Sequence, residues 1–144
     1  LMAVERDRND RGRPEQARPR DALGRPLPYG AEGVEPVSDE PLPPREALAF
    51  ARELADEGRH FSAHEVLEAR WKAGPAEEAD LWQGLAQVCV GITHANRGNA
   101  VGSARLIERG IARLQTYRDT GGQTHGLDLG AVLECARSYL PDRP

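Results

Sequence analysis

Two histidines and two glutamates crowd one short run of this chain: His60, His64, Glu65 and Glu68, within H-F-S-A-H-E-V-L-E. The i, i+4 steps from His60 to His64 and from His64 to Glu68 stack these side chains along one face of a helix. On a helical wheel His60, Phe61, His64, Leu67, Glu68 and Trp71 share an arc of roughly 100°, and Phe61 and Trp71 mark that arc as core-facing. Imidazoles and a carboxylate so placed support three kinds of chemistry. They can form a satisfied buried network that fixes helix register. They can hold a divalent transition metal ion, with a further ligand from a facing helix. Or His64, polarised by Glu68 or Glu65, can act as a metal-free acid/base pair. The zincin pattern H-E-x-x-H is missing, because Glu68 stands at its second histidine, and no predicted helix carries within it an E-x-x-H pair of the di-iron kind. No serine or cysteine nucleophile is placed beside the cluster by sequence.

A second polar set follows. Gln83, Gln87 and His94 lie together on the next predicted helix, opposite Leu81, Val88 and Ile92, with Gly84 and Gly91 bordering them one heptad apart. Glycines on one flank admit a neighbouring helix closely, and the simplest packing sets His64 and Glu68 against Gln87 and His94. Each polar group buried there without a partner would cost about 1–3 kcal/mol. The candidates are therefore His64, Glu65, Glu68 and His94 for catalysis, and His60, His64, Glu68 and His94 for a metal. For binding they are Gln83, Gln87, Trp71 and Arg97. Arg97 is also placed to anchor its turn on carbonyls at the helix C-terminus, with Asn99 capping the next helix. Trp71 and Trp82 read as core.

These residues need helices to position them. Ala47, Phe50, Ala51 and Leu54 repeat at i, i+3, i+4 and i+7, and Gly58 follows as a stop, which predicts a helix over about 44–57. A second spans about 61–73 and closes at Gly74-Pro75. The third, about 76–97, carries Leu81, Leu85, Val88, Ile92 and Ala95, widened by Trp82, Cys89 and Val90 into the broadest apolar surface, and so should be the central helix. Gly98-Asn99 turns the chain into a fourth, about 100–117, with Ala104, Ile107, Ile111 and Leu114 inward and Arg105, Glu108, Arg109 and Arg113 outward. After a loop with three glycines, Asp128 is a plausible N-cap for a last helix to about residue 140, packing Val132, Ala136 and Tyr139. No strand pattern survives, so the expected fold is all-α, a compact bundle of about five helices over residues 43–140.

Ahead of it, residues 1–42 read as an irregular arm: Pro14, Pro19, Pro26, Pro28 and Pro36, with Gly12, Gly24, Gly30 and Gly33, would break any element that began. Its seven arginines from Arg6 to Arg25 are interleaved with Glu5, Asp7, Asp10, Glu15 and Asp21, a mixed-charge segment rather than a nucleic-acid arm. Leu23, Leu27 and Tyr29, in a proline-stiffened frame, predict that residues 17–30 dock on the body in extended form. Arg18, Arg20 or Arg25 would then stand beside Glu65 or Glu68, and the first dozen residues stay mobile.

The length of 144 residues fits one domain and its net charge of −4 gathers no phosphate backbone, so nucleic acid is not the expected partner. Apolar stretches break well before the ~20 residues of a bilayer span, and no secretory leader is legible, which predicts a cytoplasmic protein with no membrane partner. Cys89 and Cys135 sit in helical patterns as small buried thiols.

The runs H-F-S-A-H-E-V-L-E-A-R-W, L-W-Q-G-L-A-Q and H-A-N-R-G-N-A-V-G-S-A-R-L, at residues 60–71, 81–87 and 94–106, resemble a bacterial family catalogued as domain of unknown function 309. The resemblance covers about residues 45–114. The arm's A-R-P-R-D-A-L-G-R-P-L-P-Y-G is similar to the opening of actinobacterial members. What the resemblance implies is a compact helical fold; it brings no activity with it.

Two classes of function follow from the residues. One is a helical binding or interaction module for a protein or small molecule; the third and fourth helices, with Gly102, Ala104 and Gly110, locally resemble the pairs of tetratricopeptide-type repeats, although no array is present. The other is a metal-dependent or acid/base enzyme using His64, Glu68 and His94. A sealed network favours the first and an open pocket at those residues the second, and the reading leans to the first.

Overall fold

A computed structural model of the chain describes residues 19–141, which form five α-helices in sequence: α1 (Pro44–Asp56), α2 (His60–Ala73), α3 (Ala79–Asn96), α4 (Ala100–Thr120) and α5 (Leu129–Arg137). The all-α expectation holds. Each helix packs chiefly on its neighbours in sequence, α1 on α2, α2 on α3, α3 on α4 and α4 on α5, as short connections require. The α3–α4 contact is the most extensive, and Leu81, Trp82, Ile107, Leu114 and Leu133 are the largest fully buried side chains.

The helix limits follow local chemistry. Pro44 occupies the first turn of α1, where its missing N–H costs nothing. The third predicted helix begins instead with a 3-10 turn, Ala76–Glu78, before α3 takes over. Asn99 and Asp128 cap α4 and α5 by accepting from the backbone N–H groups of Gly102 and Ala131, at 3.0 and 3.1 Å. α4 runs three residues past the predicted end and stops at Gly121, in the left-handed region at φ 71°. α5 stops short of 140: Pro141 disfavours helical backbone at the residue before it, and the Ser138 hydroxyl donates to the Cys135 carbonyl.

Burial corrects several inward assignments. α1 buries Ala47, Ala51 and Leu54 but leaves Phe50 at 36% exposure, and α5 buries Leu129, Leu133 and Ala136 while Tyr139 is exposed. α2 turns Ser62, Ala63, Val66 and Leu67 inward, not the arc through Phe61, His64, Glu68 and Trp71, which is only half-buried. Gly84 and Gly91 serve α4 rather than α2. A Cβ at Gly84 would press on Leu114, one at Gly91 on Ile107, and one at Gly110 would lie 2.8 Å from the Gly84 carbonyl oxygen.

Of the arm, residues 1–18 lie outside the described residues, and with them Arg18 and the expected mobile start. From Pro19 the chain makes a tight hairpin. Asp21 organises it, its Oδ1 accepting from the backbone N–H groups of Leu23 and Arg25 at 3.0 and 2.8 Å, while the Leu27 N–H donates to the Pro19 carbonyl at 2.7 Å. Gly24, at φ 77°, is buried against the Phe61 ring, where no side chain would fit. The Arg20 guanidinium lies 4.6 Å above the same ring. Arg59 donates to the Glu35 carbonyl further along, and Val37 and Leu42 pack on the core. Leu23 and Leu27 are half-buried, but Tyr29 is 55% exposed.

Candidate functional site

α2 and α3 are joined by so few residues that they must run antiparallel, which sets the C-terminal half of α2 beside the N-terminal half of α3. Between them, with α4 as the far wall, lies a cavity of about 250 Å³ lined by His64, Glu68, Trp71, Gln83, Ala86, Gln87, Val90 and Leu106. Gln83, Ala86, Gln87 and Val90 recur at i, i+3, i+4 and i+7, so they form one stripe of α3 and the floor of a groove.

At the α2 wall His64 is held at both ring nitrogens. Nδ1 lies 2.6 Å from the Phe61 carbonyl oxygen and Nε2 3.0 Å from Glu68 Oε2. A carbonyl only accepts, so Nδ1–H donates; a carboxylate also only accepts, so the pair is complete when the ring carries both protons. The Phe61 ring, 4.7 Å from the imidazole between centroids, walls its other side. Neither nitrogen can take a metal ion without giving up its contact with Phe61 or Glu68. The imidazole thus orients the Glu68 carboxylate. Glu68 Oε1 also meets Lys72 Nζ at 2.8 Å. The hydrogen bond from His64 holds the Glu68 carboxyl down at about 2 against the upward push of burial, and Lys72 assists. Gln87 Oε1 is buried and finds no hydrogen-bond partner among the described residues.

The structure brings together His64, Glu68, Trp71, Gln83 and Gln87, and separates the remaining candidates. His94 is not among the cavity residues; it is one helical turn beyond Val90, and its Nδ1 is 3.2 Å from Asn99 Nδ2. His60 is also absent from the lining; its Nδ1 is buried with no hydrogen-bond partner among the described residues, and burial lowers its pKa, with the Gly58 backbone and Asp56 opposing. Among the described residues, no three His, Cys, Asp or Glu side chains are grouped so as to hold a metal ion. Glu65 is half-buried on the arm side of α2, where desolvation raises its pKa, with His64 and Arg20 opposing. Arg97 does not hold its own turn. Its Nε donates to the Leu23 carbonyl in the arm at 2.9 Å, so the hairpin is pinned at Phe61 of α2 and at the end of α3. Trp71 stands on the groove wall, half-buried, and only Trp82 is wholly core.

One cluster carries no signal in the spacing of the sequence beyond the i, i+4 step from Glu78 to Trp82. His125 Nε2 and Trp82 Nε1 both meet Glu78 Oε1, at 2.9 and 3.0 Å, and the indole and imidazole rings stack with centroids 6.1 Å apart. Burial pushes the Glu78 carboxyl up, but hydrogen bonds from His125 and Trp82, with the charges of His125 and Arg70, outweigh it and leave the group below its ordinary value. The Tyr117 hydroxyl donates to the Gln123 carbonyl at 2.6 Å in the same loop. A lone histidine in G-G-Q-T-H-G offers no periodic partner, and only the glycines flagged a constrained turn. Cys89 does not supply a nucleophile: burial pushes its thiol up to about 12, with Cys135 adding to the effect.

The groove falls within the part of the chain shared with other proteins. Residues 48–106 match the family model described as "Domain of unknown function (DUF309)". The resemblance carried by the histidine, glutamine and glycine motifs therefore holds over most of α1 through the first turns of α4. Every residue lining the groove lies within the DUF309 match, whereas Glu78's partner His125 and the arm hairpin lie outside it. The chain is also 35% identical over 80 residues to the uncharacterized protein YpuF of Bacillus subtilis (strain 168). That stretch is 55% of this chain and 45% of YpuF, so the chain spans less than half of the relative's length. No solved structure matches. Neither DUF309 nor YpuF brings a stated activity. No helix among the described residues is long and apolar enough to cross a membrane.

Proposed function

We propose that this chain is a small helical binding module of the cytoplasm whose ligand site is the groove over α3, between α2 and α4. One observation carries the reading. A cavity of about 250 Å³ sets the Glu68 carboxylate, held by His64, and the amide side chains of Gln83 and Gln87 against an apolar wall of Trp71, Ala86, Val90 and Leu106. Mostly apolar walls with a few convergent polar groups are the usual composition of a ligand site. The catalytic alternative lacks comparable support, because both His64 nitrogens are occupied and His94 stands with Asn99.

The test is a fragment titration followed by amide and side-chain NMR shifts, with an Ala86→Leu variant that fills the groove floor. Binding should shift Gln83, Gln87 and the Trp71 indole together and disappear in the variant while its helical spectrum persists. Shifts that scatter over the surface, or that survive Ala86→Leu, overturn the reading.

A further inference from the structure

The groove sets the Glu68 carboxylate among the amides of Gln83 and Gln87, and that carboxylate bears on the kind of molecule that complements it. Glu68 presents a carboxylate whose Oε2 is held by His64 at 3.0 Å and whose Oε1 draws in the ammonium of Lys72 at 2.8 Å. Lys72 does not line the groove; it reaches Glu68 from the solvent side on a side chain that is 65% exposed. An ion pair of this exposed kind is weakly held, so its ammonium can return to water and yield its place. The pair shows that Glu68 Oε1 accepts an ammonium, and departure of Lys72 leaves that oxygen open to another cation. Gln83 and Gln87 line the groove floor with amides, each able to accept and to donate. The rest of the wall, Trp71, Ala86, Val90 and Leu106, calls for an apolar body.

Resting on the reading of the groove as a ligand site, we propose that its ligand is a small free organic cation, an amine or guanidine on a short apolar stem, with Glu68 as its counter-ion. The cavity sets the size. At about 30 Å³ for each water in the liquid, it holds roughly eight waters' worth of matter, enough for an arylalkylamine and too little for a folded partner. A carboxylate ligand would meet Glu68 head on. His64 offers such a ligand no hydrogen bond, since both its nitrogens already face oxygen.

Three probes of one shape test the assignment by calorimetry and by the Trp71 indole NMR signal: 2-phenylethylamine, 2-phenylethanol and phenylacetate. The amine should bind about tenfold or more tighter than the alcohol, with phenylacetate weakest. Glu68→Gln should bring the amine down to the affinity of the alcohol. Lys72→Ala, by removing the competing ammonium, should tighten the amine several-fold and leave the alcohol unchanged. Equal binding of amine and alcohol, or tightest binding of phenylacetate, overturns the cation assignment while the groove remains a ligand site. Failure of all three probes to perturb Trp71 or Gln87 overturns both.

Discussion

His125 Nε2 lies 2.9 Å from Glu78 Oε1, an oxygen that also accepts the Trp82 indole N–H, and this contact ties the loop after α4 to the start of α3. Both partners are largely buried, so removing the acceptor strands two donors. Glu78→Ala should destabilise the chain by roughly 2–4 kcal/mol in urea titration, and a loss under about 0.5 kcal/mol would show the pair to be ornamental. The Glu78 carboxyl is held below its ordinary value, so its stabilising contribution is present above the unfolded carboxylate pKa and fades as pH falls through the folded one.

The same histidine sits in left-handed backbone, at φ 53°. A non-glycine residue there carries strain of about 1–2 kcal/mol, held in place by the contact its side chain makes. His125→Ala keeps the strain and loses the contact, whereas His125→Gly loses both. The glycine variant should therefore be the more stable of the two by about 1 kcal/mol, read from paired denaturation curves; the reverse order would show that the loop relaxes once the imidazole is gone.

Close approach of α3 and α4 rests on glycine. A methyl group at Gly110 would meet the Gly84 carbonyl oxygen and the Val88 side chain, both at 2.8 Å, and neither backbone can give without shifting a helix. Gly110→Ala should cost roughly 1–3 kcal/mol even though alanine is the better helix former. Gly130→Ala is the control, since its nearest neighbour there is the Asp128 carboxylate at 3.3 Å. Similar melting temperatures for the two variants would contradict the tight contact.

For the arm, proteolysis gives the clearest readout. Trypsin can cut after Arg20 but not after Arg18 or Arg25, each followed by proline. Docking through Phe61 and Arg97 should protect the Arg20–Asp21 bond, and Gly24→Ala, which sets a side chain against the Phe61 ring at φ 77°, should expose it several-fold faster. Equal rates in the two proteins would mean that the hairpin is not held by that contact.

Acid should separate Glu68 from its surroundings. Its folded pKa, about 2, lies below the ordinary 4.5, so the carboxylate's contribution is full above about 4.5 and is lost as pH falls through about 2. Glu68 is 37% exposed, and solvent screens the pair, so Glu68→Gln should cost roughly 1 kcal/mol at neutral pH. The gap from the parent protein should narrow towards pH 2; a gap that stays constant with pH would remove the charge from the account.

What the sequence by itself determined was everything that repeats along the chain. Five helices, their order, the caps at Asn99 and Asp128 and the buried runs of α3 and α4 follow from apolar period and from residues that satisfy helix ends, which are local properties. The pairing of His64 with Glu68 was legible for the same reason, since i, i+4 on a helix is a fixed distance. The choice of face on α2 was not. Apolar residues surround that helix, so Phe61 and Trp71 pointed the wheel at one side, while the tertiary structure buried Ala63 and Val66 with Leu67, the one member of that arc to turn inward, and left His64, Glu68 and Trp71 as a groove wall. Nor could the glycines at 84 and 91 say which neighbour they admit, and α4, joined by the shorter turn, took the place expected of α2. His94 fell away from the groove because antiparallel register sets the level of every cross-helix pair, and a wheel contains no register. Arg97 with Leu23, and His125 with Glu78, join positions 74 and 47 residues apart. Such contacts exist only once the chain has closed on itself, and no spacing along the sequence encodes them.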